Sequence, residues 1–454
     1  MGADLASAAP ADADTIYARA SGAGKAGVAV YRISGPAALS VAGTLVGKNP
    51  RPREAAVTKL RDPADGSIID QGLVILFEGP ASFTGEDVAE FHLHGSRAVE
   101  IALYDALARL GARPAEAGEF TLRALRNDKL DLTQVEALAD LIDSETTLQR
   151  KQALGQLGGR LSEAAEGWRR RLLAIMAPLE ADIDFPDEGD VPAAVAARAG
   201  PEMTALRREL ESYLAASAQA QTIREGLSVA VLGPPNAGKS SLVNALAGSD
   251  VAIVSDVAGT TRDIIETRLD LCGVVAVVAD TAGLRDETED AIEREGMRRA
   301  RAYAEQADVR LGVLDPGAAV VSRETLARLR PGDALIWTRA DRSAATPNTP
   351  LGEDIAVLSL SSTTGAGIDA LVDFLKAKVS RGTGAEPLLT RARHAQAVER
   401  AIAALIRAEE ALAASPELAA EDARLAARAL GGVTGAVGVE DVLGEIFSSF
   451  CIGK

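Results

Sequence analysis

The chain carries only two cysteines, Cys272 and Cys451, in 454 residues. Two thiols cannot form a disulfide framework, which excludes the small disulfide-built secreted scaffolds and fits a reducing cytoplasm. No apolar run is long enough to span a membrane, and the opening "MGADLASAAPADADT" lacks the basic start and apolar stretch of a signal peptide. Positive charge is in deficit, with Lys+Arg 48 against Asp+Glu 65 and a net charge of −17. That balance argues against broad non-specific nucleic-acid binding without excluding nucleic acid, and gives no reason to expect DNA; a local basic face or a basic partner stays open. Histidine is scarce too. His92 and His94 alternate on a strand, but with no third ligand in view an ordinary strand face is a better reading than a metal pair. His394 opens a helical block and has no inferred role.

What is present describes a soluble globular chain, 47% apolar and 25% charged, long enough for two to three domains. Residues 14–127 mix strand-like runs (Val28 to Ile33, Leu73 to Phe77, Val88 to Leu93) with a helix expected from Arg97 to Leu110, an α+β texture. Helical periodicity governs 133–222: Val135, Leu138, Leu141 and Ile142 share one face, as do Leu161, Trp168, Leu172, Ile175 and Leu179. The acidic "DIDFPDEGD" breaks the pattern at Pro186. It lacks the spacing and glycine of a calcium loop and reads as a solvated turn. Strands alternating with helices run from Ser228 to about Val379, and a second helical block, 388–430, follows "SRGTGAEP". Helices on both sides of an α/β unit suggest one discontinuous all-α domain with the α/β domain inserted. The expected limits are 1–127, 128–225, 226–379 and 380–454.

"SVAVLGPPNAGKSS" (228–241) is an apolar strand, then G-x-x-x-x-G-K-S, then an amphipathic helix, the context of a phosphate-binding loop. Gly233 and Gly238 let backbone N–H groups converge on phosphate, Lys239 offers a point charge, and the Ser240 hydroxyl can ligate magnesium. "VVAVVADTAG" (274–283) is a buried strand ending in D-x-x-G, where Asp280 can hold magnesium through water and the Gly283 N–H can meet the terminal phosphate. Between them lies "SDVAGTTRD" (255–263), whose Thr261 can complete the metal shell. The set specifies a Ras-like P-loop domain. The expected nucleotide-binding residues are Asn236, Ala237, Gly238, Lys239, Ser240 and Ser241; Ser255, Asp256, Val257, Ala258, Gly259, Thr260 and Thr261; Asp280, Thr281, Ala282 and Gly283; Thr338 and Asp341; and Ser361, Ser362 and Thr363.

The base is read later in the chain. In place of N-K-x-D the sequence has Thr338, Arg339, Ala340 and Asp341. Asp341 keeps the carboxylate that accepts from the guanine N1–H and exocyclic amine; adenine would leave it unpaired. Arg339 can lie over the base as Lys would. Thr338 is the departure, too short to span the contacts of Asn. "SSTTGAG" (361–367) resembles the last GTPase loop. GTP is the expected nucleotide. Leu284 stands where Ras-like enzymes place a water-orienting Gln and can do no such work. Asn236 can supply an amide oxygen to a monovalent cation. The residues alone leave the water-orienting carboxylate open among Asp286, Glu287, Glu289, Asp290, Glu293 and Glu295.

Several unrelated stretches resemble the bacterial and organellar tRNA-modification GTPases of the MnmE (TrmE) family: "AGVAVYRISGP" (26–36), "SFTGEDVAEFHLHG" (82–95), "GEFTLRALRNDKLDLTQVEALADLI" (118–142), "GPPNAGKSSLVNALAG" (233–248), "VSDVAGTTRD" (254–263), "DTAGLR" (280–285) and the terminal "FCIGK". The resemblance implies an N-terminal tetrahydrofolate-binding-like domain that also mediates homodimerisation. It implies a G domain that dimerises across its nucleotide face with potassium bound, and a flavin-dependent partner (MnmG/GidA, carrying FAD). The pair would add an aminomethyl or carboxymethylaminomethyl group at C5 of the wobble uridine of certain tRNAs, with 5-formyltetrahydrofolate or a related folate as the implied one-carbon donor.

By position, Asn236, Ser255, Val257 and Thr260 match potassium ligands, Ser240 and Thr261 magnesium ligands, and Glu293 the water-orienting catalytic carboxylate. Arg32, Glu90, Lys129 and Lys454 match folate contacts, cations suiting the glutamate-tail carboxylates and a carboxylate the pterin N–H donors. Cys451, in a tail whose Phe450 and Ile452 make it too apolar for a frayed end, would stand near the modification chemistry; the plainer reading is a buried thiol. A ribosome-assembly or regulatory GTPase switch is the alternative, but it leaves the folate-like residues and the tail unexplained. A scaffold with a degenerate nucleotide site conflicts with the intact Lys239, Ser240 and Asp280.

Overall fold

The computed structural model describes residues 14–184, 192–253, 266–280, 298, 302–317, 322–342, 351–352, 354–379, 387–435 and 453. Contacts divide the chain into two units, one holding the residues up to Ala139 with those from Gly431 onward, the other Asp140–Leu430.

The first unit is built on strands β1 (Ile16–Arg19), β2 (Ala26–Ser34), β3 (Ala56–Arg61), β4 (Ile68–Phe77), β5 (Val88–Gly95) and β6 (Arg113–Pro114), in the order β3-β4-β5-β2-β1-β6. The expected strands are present, each longer than the apolar run that announced it. Alternation sorts their side chains: Ala29, Tyr31 and Ile33 of β2, Val74 and Leu76 of β4, and Ala89, Phe91 and Leu93 of β5 turn to one face. Helices Ala38–Val46 and Arg97–Arg109 cover that face. The second starts where Ser96 Oγ accepts from Val99 N, a side-chain N-cap. On the opposite face helix Glu119–Arg126 packs Phe120 on Ile16 and Ala18, whereas Val28, Val57 and Leu73 remain exposed. Beside them the register sets Arg32 opposite Glu90 and Leu73 opposite His92. The buried Arg123 guanidinium anchors the unit by pairing with Asp14, Glu86 and Glu119. In Glu119, burial raises the pKa, but Arg113, the Glu116 N–H and Arg123 overcome it and hold the carboxyl below its usual range.

Helix Leu132–Asp143 departs from the expected face. Val135 is buried against Leu122, Leu125, Leu130 and Ala139, whereas Ile142 is 40% exposed. The run is apolar on more than one side, and packing against the preceding helix selected the Val135 side.

In the second unit, helices Thr147–Leu157, Arg160–Asp184, Pro192–Ala215 and Ser217–Glu225 precede the α/β part, and Ala392–Ala411 and Pro416–Thr434 follow it. Leu161, Trp168, Leu172, Ile175 and Leu179 are all buried, as their spacing requires. The segments before and after the insertion hold each other: Arg207 pairs with Glu409 at 3.1 Å, Arg424 with Glu180 at 2.7 Å, and Arg224 Nε donates to Thr390 O. The helical domain is therefore discontinuous. The acidic turn around Pro186 lies outside the described residues.

The inserted sheet runs β12 (Ala356–Ser359), β11 (Ala334–Trp337), β10 (Val309–Leu314), β7 (Leu227–Leu232), β9 (Val274–Asp280), β8 (Glu266–Leu271). All are parallel except β8, so the loops leaving β7, β9, β10 and β11 share one edge, where α/β sheets bind ligands. At the far end Cys272 and Gly273 turn the β8–β9 hairpin with φ of 56° and 93°, the twist a two-residue turn needs. That tip is docked on helix Thr147–Leu157. Thr146 Oγ accepts from Gln149 N as the N-cap and donates to the Gly273 carbonyl, and Arg268 pairs with Glu145. A Cβ on Gly273 would stand 2.8 Å from Leu148 Cβ. Gly273→Ala should therefore cost about 1–3 kcal/mol from overpacking and positive φ. Urea denaturation checks this, and an unchanged midpoint would mean the tip is not seated there.

Candidate functional site

The loop after β7 is shaped by backbone that a side chain cannot replace. Gly233 has φ of 154° and a Cβ would stand 2.3 Å from Val313 O. Gly238, at φ 98°, caps helix Lys239–Ala247, and Asn236 is left-handed at φ 61°. The loop N–H groups and the helix N-terminus thus face the same edge of the sheet, an anion cradle. Lys239 is buried, with Nζ donating to Gly233 O at 2.9 Å and Pro234 O at 3.0 Å. Burial lowers its pKa, and the Asp280 carboxylate opposes that.

Asp280 ends β9 and is buried. Ser240 Oγ donates to its Oδ2 at 2.5 Å, and Oδ1 has no hydrogen-bond partner among the described residues. A buried, half-satisfied carboxylate beside a hydroxyl is an oxygen donor set suited to a hard cation such as magnesium. Asn236's side-chain amide makes no hydrogen bond among the described residues, while its backbone O accepts from Arg339 Nη2 at 3.1 Å.

Thr338 does more than its length suggests. It is buried at the end of β11, with Oγ1 2.8 Å from the Ala237 carbonyl and 3.2 Å from that of Leu314. The hydroxyl joins the base loop to the phosphate loop because the two chains approach within its reach; that proximity is tertiary and invisible in the motif. Arg339, left-handed at φ 55°, is held by an ion pair with Asp315. Asp315 was not singled out from sequence; it directly follows β10, at the edge where nucleotide loops gather, and that position was the available signal. Asp341 Oδ1 accepts from Ser361 Oγ at 2.6 Å, and this bond lowers its pKa. Ser361 is buried, Thr363 exposed, and the tight loop closes through Gly365 N on Ser361 O.

Comparison with known proteins places the whole chain. The description "MnmE helical domain" matches residues 132–451, and "GTP-binding protein TrmE N-terminus" matches 15–129. The "tRNA modification GTPase MnmE" of Parvibaculum lavamentivorans is 50% identical over 447 residues, covering 97% of this chain and 100% of that protein. The same-named protein of Caulobacter vibrioides is 50% identical over 448 residues, with 97% and 100% covered. The chain belongs to the MnmE family of tRNA modification GTPases. Among solved structures, the G domain of the T. maritima FeoB iron transporter covers 34% of this chain and 99% of its own at 25% identity and a TM-score of 0.25.

In this MnmE-family chain a second group of expected residues gathers in the first unit. Arg32 Nε and Nη2 donate to Glu90 Oε1 at 3.0 and 2.8 Å, and the guanidinium lies 5.3 Å from the Phe83 ring centroid and 5.8 Å from that of Phe120. His92 Nε2 stands 3.5 Å from Glu90 Oε2, and His94 Nδ1 is 2.9 Å from Asp70; among the described residues no group could hold a metal with them. Lys129 Nζ donates to Pro80 O at 3.0 Å, so Lys129 and Arg32 both touch the loop carrying Pro80 and Phe83. Gly453, at φ 103°, is buried where a Cβ would stand 2.1 Å from Arg19 O, so the end of the tail meets the end of β1. Ser255, Asp256, Val257, Ala258, Gly259, Thr260, Thr261, Thr281, Ala282, Gly283, Leu284, the acidic candidates from Asp286 to Glu295 including Glu293, Cys451 and Lys454 lie outside the described residues. His394 is buried in helix Ala392–Ala411. No described helix is long and apolar enough to cross a membrane.

Proposed function

We propose that this chain is a potassium-stimulated GTP hydrolase which, with a flavin-dependent partner of the MnmG type, modifies C5 of the wobble uridine in certain tRNAs. The observation that carries the nucleotide half is the Ser240–Asp280 pair beneath the phosphate loop, with buried Lys239 beside it. Ser240, Asp280 and Thr261 would hold magnesium, which when bound supplies positive charge at the outer phosphates. Asn236, Ser255, Val257 and Thr260 would hold potassium, Glu293 would orient the attacking water, and Asp341 would read guanine. The relatives' name, tRNA modification GTPase, supports the tRNA half.

The N-terminal reading rests on the open sheet face. Exposed Val28, Val57 and Leu73 offer an apolar surface for a second copy of the chain. The Arg32–Glu90 pair between Phe83 and Phe120 offers cation, carboxylate and ring surface to a folate, with Lys129 and the tail's Lys454 at its carboxylates. Gly453 seated on β1 supports a tail that brings Cys451 to the same site. The domain limits 1–127, 128–225, 226–379 and 380–454, and a cytoplasmic location, belong to this reading.

Hydrolysis in potassium against sodium tests it. Turnover at saturating GTP should be faster in potassium by at least about tenfold, the scale of a charge aimed at the developing transition state. Asn236→Ala should remove most of that difference. Equal turnover in both salts would remove the cation from the mechanism.

A further inference from the structure

Helix Thr147–Leu157 and its continuation form a locally basic surface on an acidic chain. Between Glu145 and Glu163 there is no carboxylate, while Arg150, Lys151 and Arg160 are exposed. Neither Arg150 nor Lys151 makes an ion pair among the described residues. Gly155 lets two of these cations converge: the Arg160 side chain folds back across it, its Cδ 3.0 Å and Nη1 3.2 Å from where a Cβ would be. Lys151, one turn before Gly155, is on the same helix face.

These residues edge a cavity of about 220 Å³ between this helix, helix Ser217–Glu225 and the chain at Pro387–Leu388. Leu148, Ile223 and Leu388 give it apolar wall. Gln156, only 5% exposed, lines it; its Nε2 donates to Leu388 O, and its Oε1 is buried with no hydrogen-bond partner among the described residues. An orphaned buried acceptor costs free energy until a donor reaches it. The cavity thus combines an anion-attracting edge, apolar walls and an acceptor wanting an N–H.

We propose that this cavity receives one nucleotide of the bound tRNA, its phosphate against Lys151 and Arg160 and a base N–H against Gln156 Oε1. Phosphate at the edge gives the Lys151 ammonium an anionic partner, a base face suits the apolar walls, and single-stranded RNA offers unstacked bases for such pockets. The inference rests on the tRNA reading above and names the surface by which an acidic chain would hold tRNA. Leu148 also meets the hairpin tip at Gly273, so the cavity shares a wall with the seat of the β8–β9 hairpin.

Full-length protein and unmodified tRNA transcript, followed by fluorescence anisotropy over a range of KCl concentrations, provide the test. Lys151→Glu and Arg160→Glu should each weaken binding about tenfold, and Lys151→Gln should lower the slope of log affinity against log salt by about 0.7. Arg170→Glu, reversing an exposed cation elsewhere on the helical domain, should change affinity less than about twofold. GTP hydrolysis without tRNA should be unchanged in all four. Crosslinks from 4-thiouridine-substituted tRNA should map to peptides carrying Leu148–Arg160 or Pro387–Leu388. Parent-like binding by both charge reversals, an equal loss in Arg170→Glu, or crosslinks confined elsewhere would overturn the cavity while leaving the tRNA reading intact. A parent protein that binds no tRNA would overturn the tRNA reading, and the cavity assignment with it.

Discussion

Asp341→Asn should weaken GTP binding by a factor on the order of 10²–10⁴ and bring xanthosine triphosphate to comparable affinity. The carboxylate is aimed rather than free: Ser361 Oγ holds Oδ1 at 2.6 Å, and that hydrogen bond keeps the group ionised below the usual carboxylate range. Guanine presents two N–H donors to such an acceptor. The amide would set an N–H against one of them, whereas xanthine carries a carbonyl there and accepts it. Thr338, which ties the phosphate loop to the same strand end, is untouched, so magnesium-dependent phosphate contacts should persist. Binding of a fluorescent GTP analogue, competed with GTP and xanthosine triphosphate, reads both effects. Parent-like affinity for GTP would show that Asp341 does not read the base.

Lys239→Met should lower GTP turnover by about 10²–10³, the usual loss when one preorganised charge at a developing oxyanion is removed. Stability should move the other way. Burial presses the Lys239 pKa below the ordinary lysine range, and the Asp280 carboxylate only partly offsets this. The folded protein therefore binds that proton more weakly than the unfolded chain does. This penalty is present at neutral pH and disappears as pH rises from the folded-state pKa toward 10.5. An uncharged side chain of similar length avoids it, so the nucleotide-free variant should melt no lower than the parent at pH 7. A large drop in melting temperature, or retained turnover, would show that the Gly233 and Pro234 carbonyl contacts hold the loop together and that the charge is not there for phosphate.

How far the sequence discloses this molecule depends on the range of the interaction. The phosphate loop was legible because its chemistry is local: Gly233, Gly238, Lys239 and Ser240 lie in one short run and do their work there. The strands of the first unit were legible because alternate residues sort to two faces whatever packs on them. The bond from Thr338 to the Ala237 carbonyl was not legible, because it depends on how closely β11 approaches the phosphate loop. Ile142 was misplaced for a related reason, since a helix apolar on several sides lets its neighbour choose the buried one. The docking of Gly273 on Thr146 joins residues far apart in sequence through a backbone carbonyl, which no side-chain pattern announces. Arg32 and Glu90 were singled out separately by resemblance, and the register of β2 on β5 makes them one pair.

The most direct test of the central claim is nucleoside mass spectrometry of tRNA from cells that lack this chain, restored with either the parent or Lys239→Met. The account expects C5-substituted wobble uridines with the parent and unsubstituted uridine at those positions both in the deletion and with Lys239→Met. The same C5-substituted uridines in the deletion strain would contradict it.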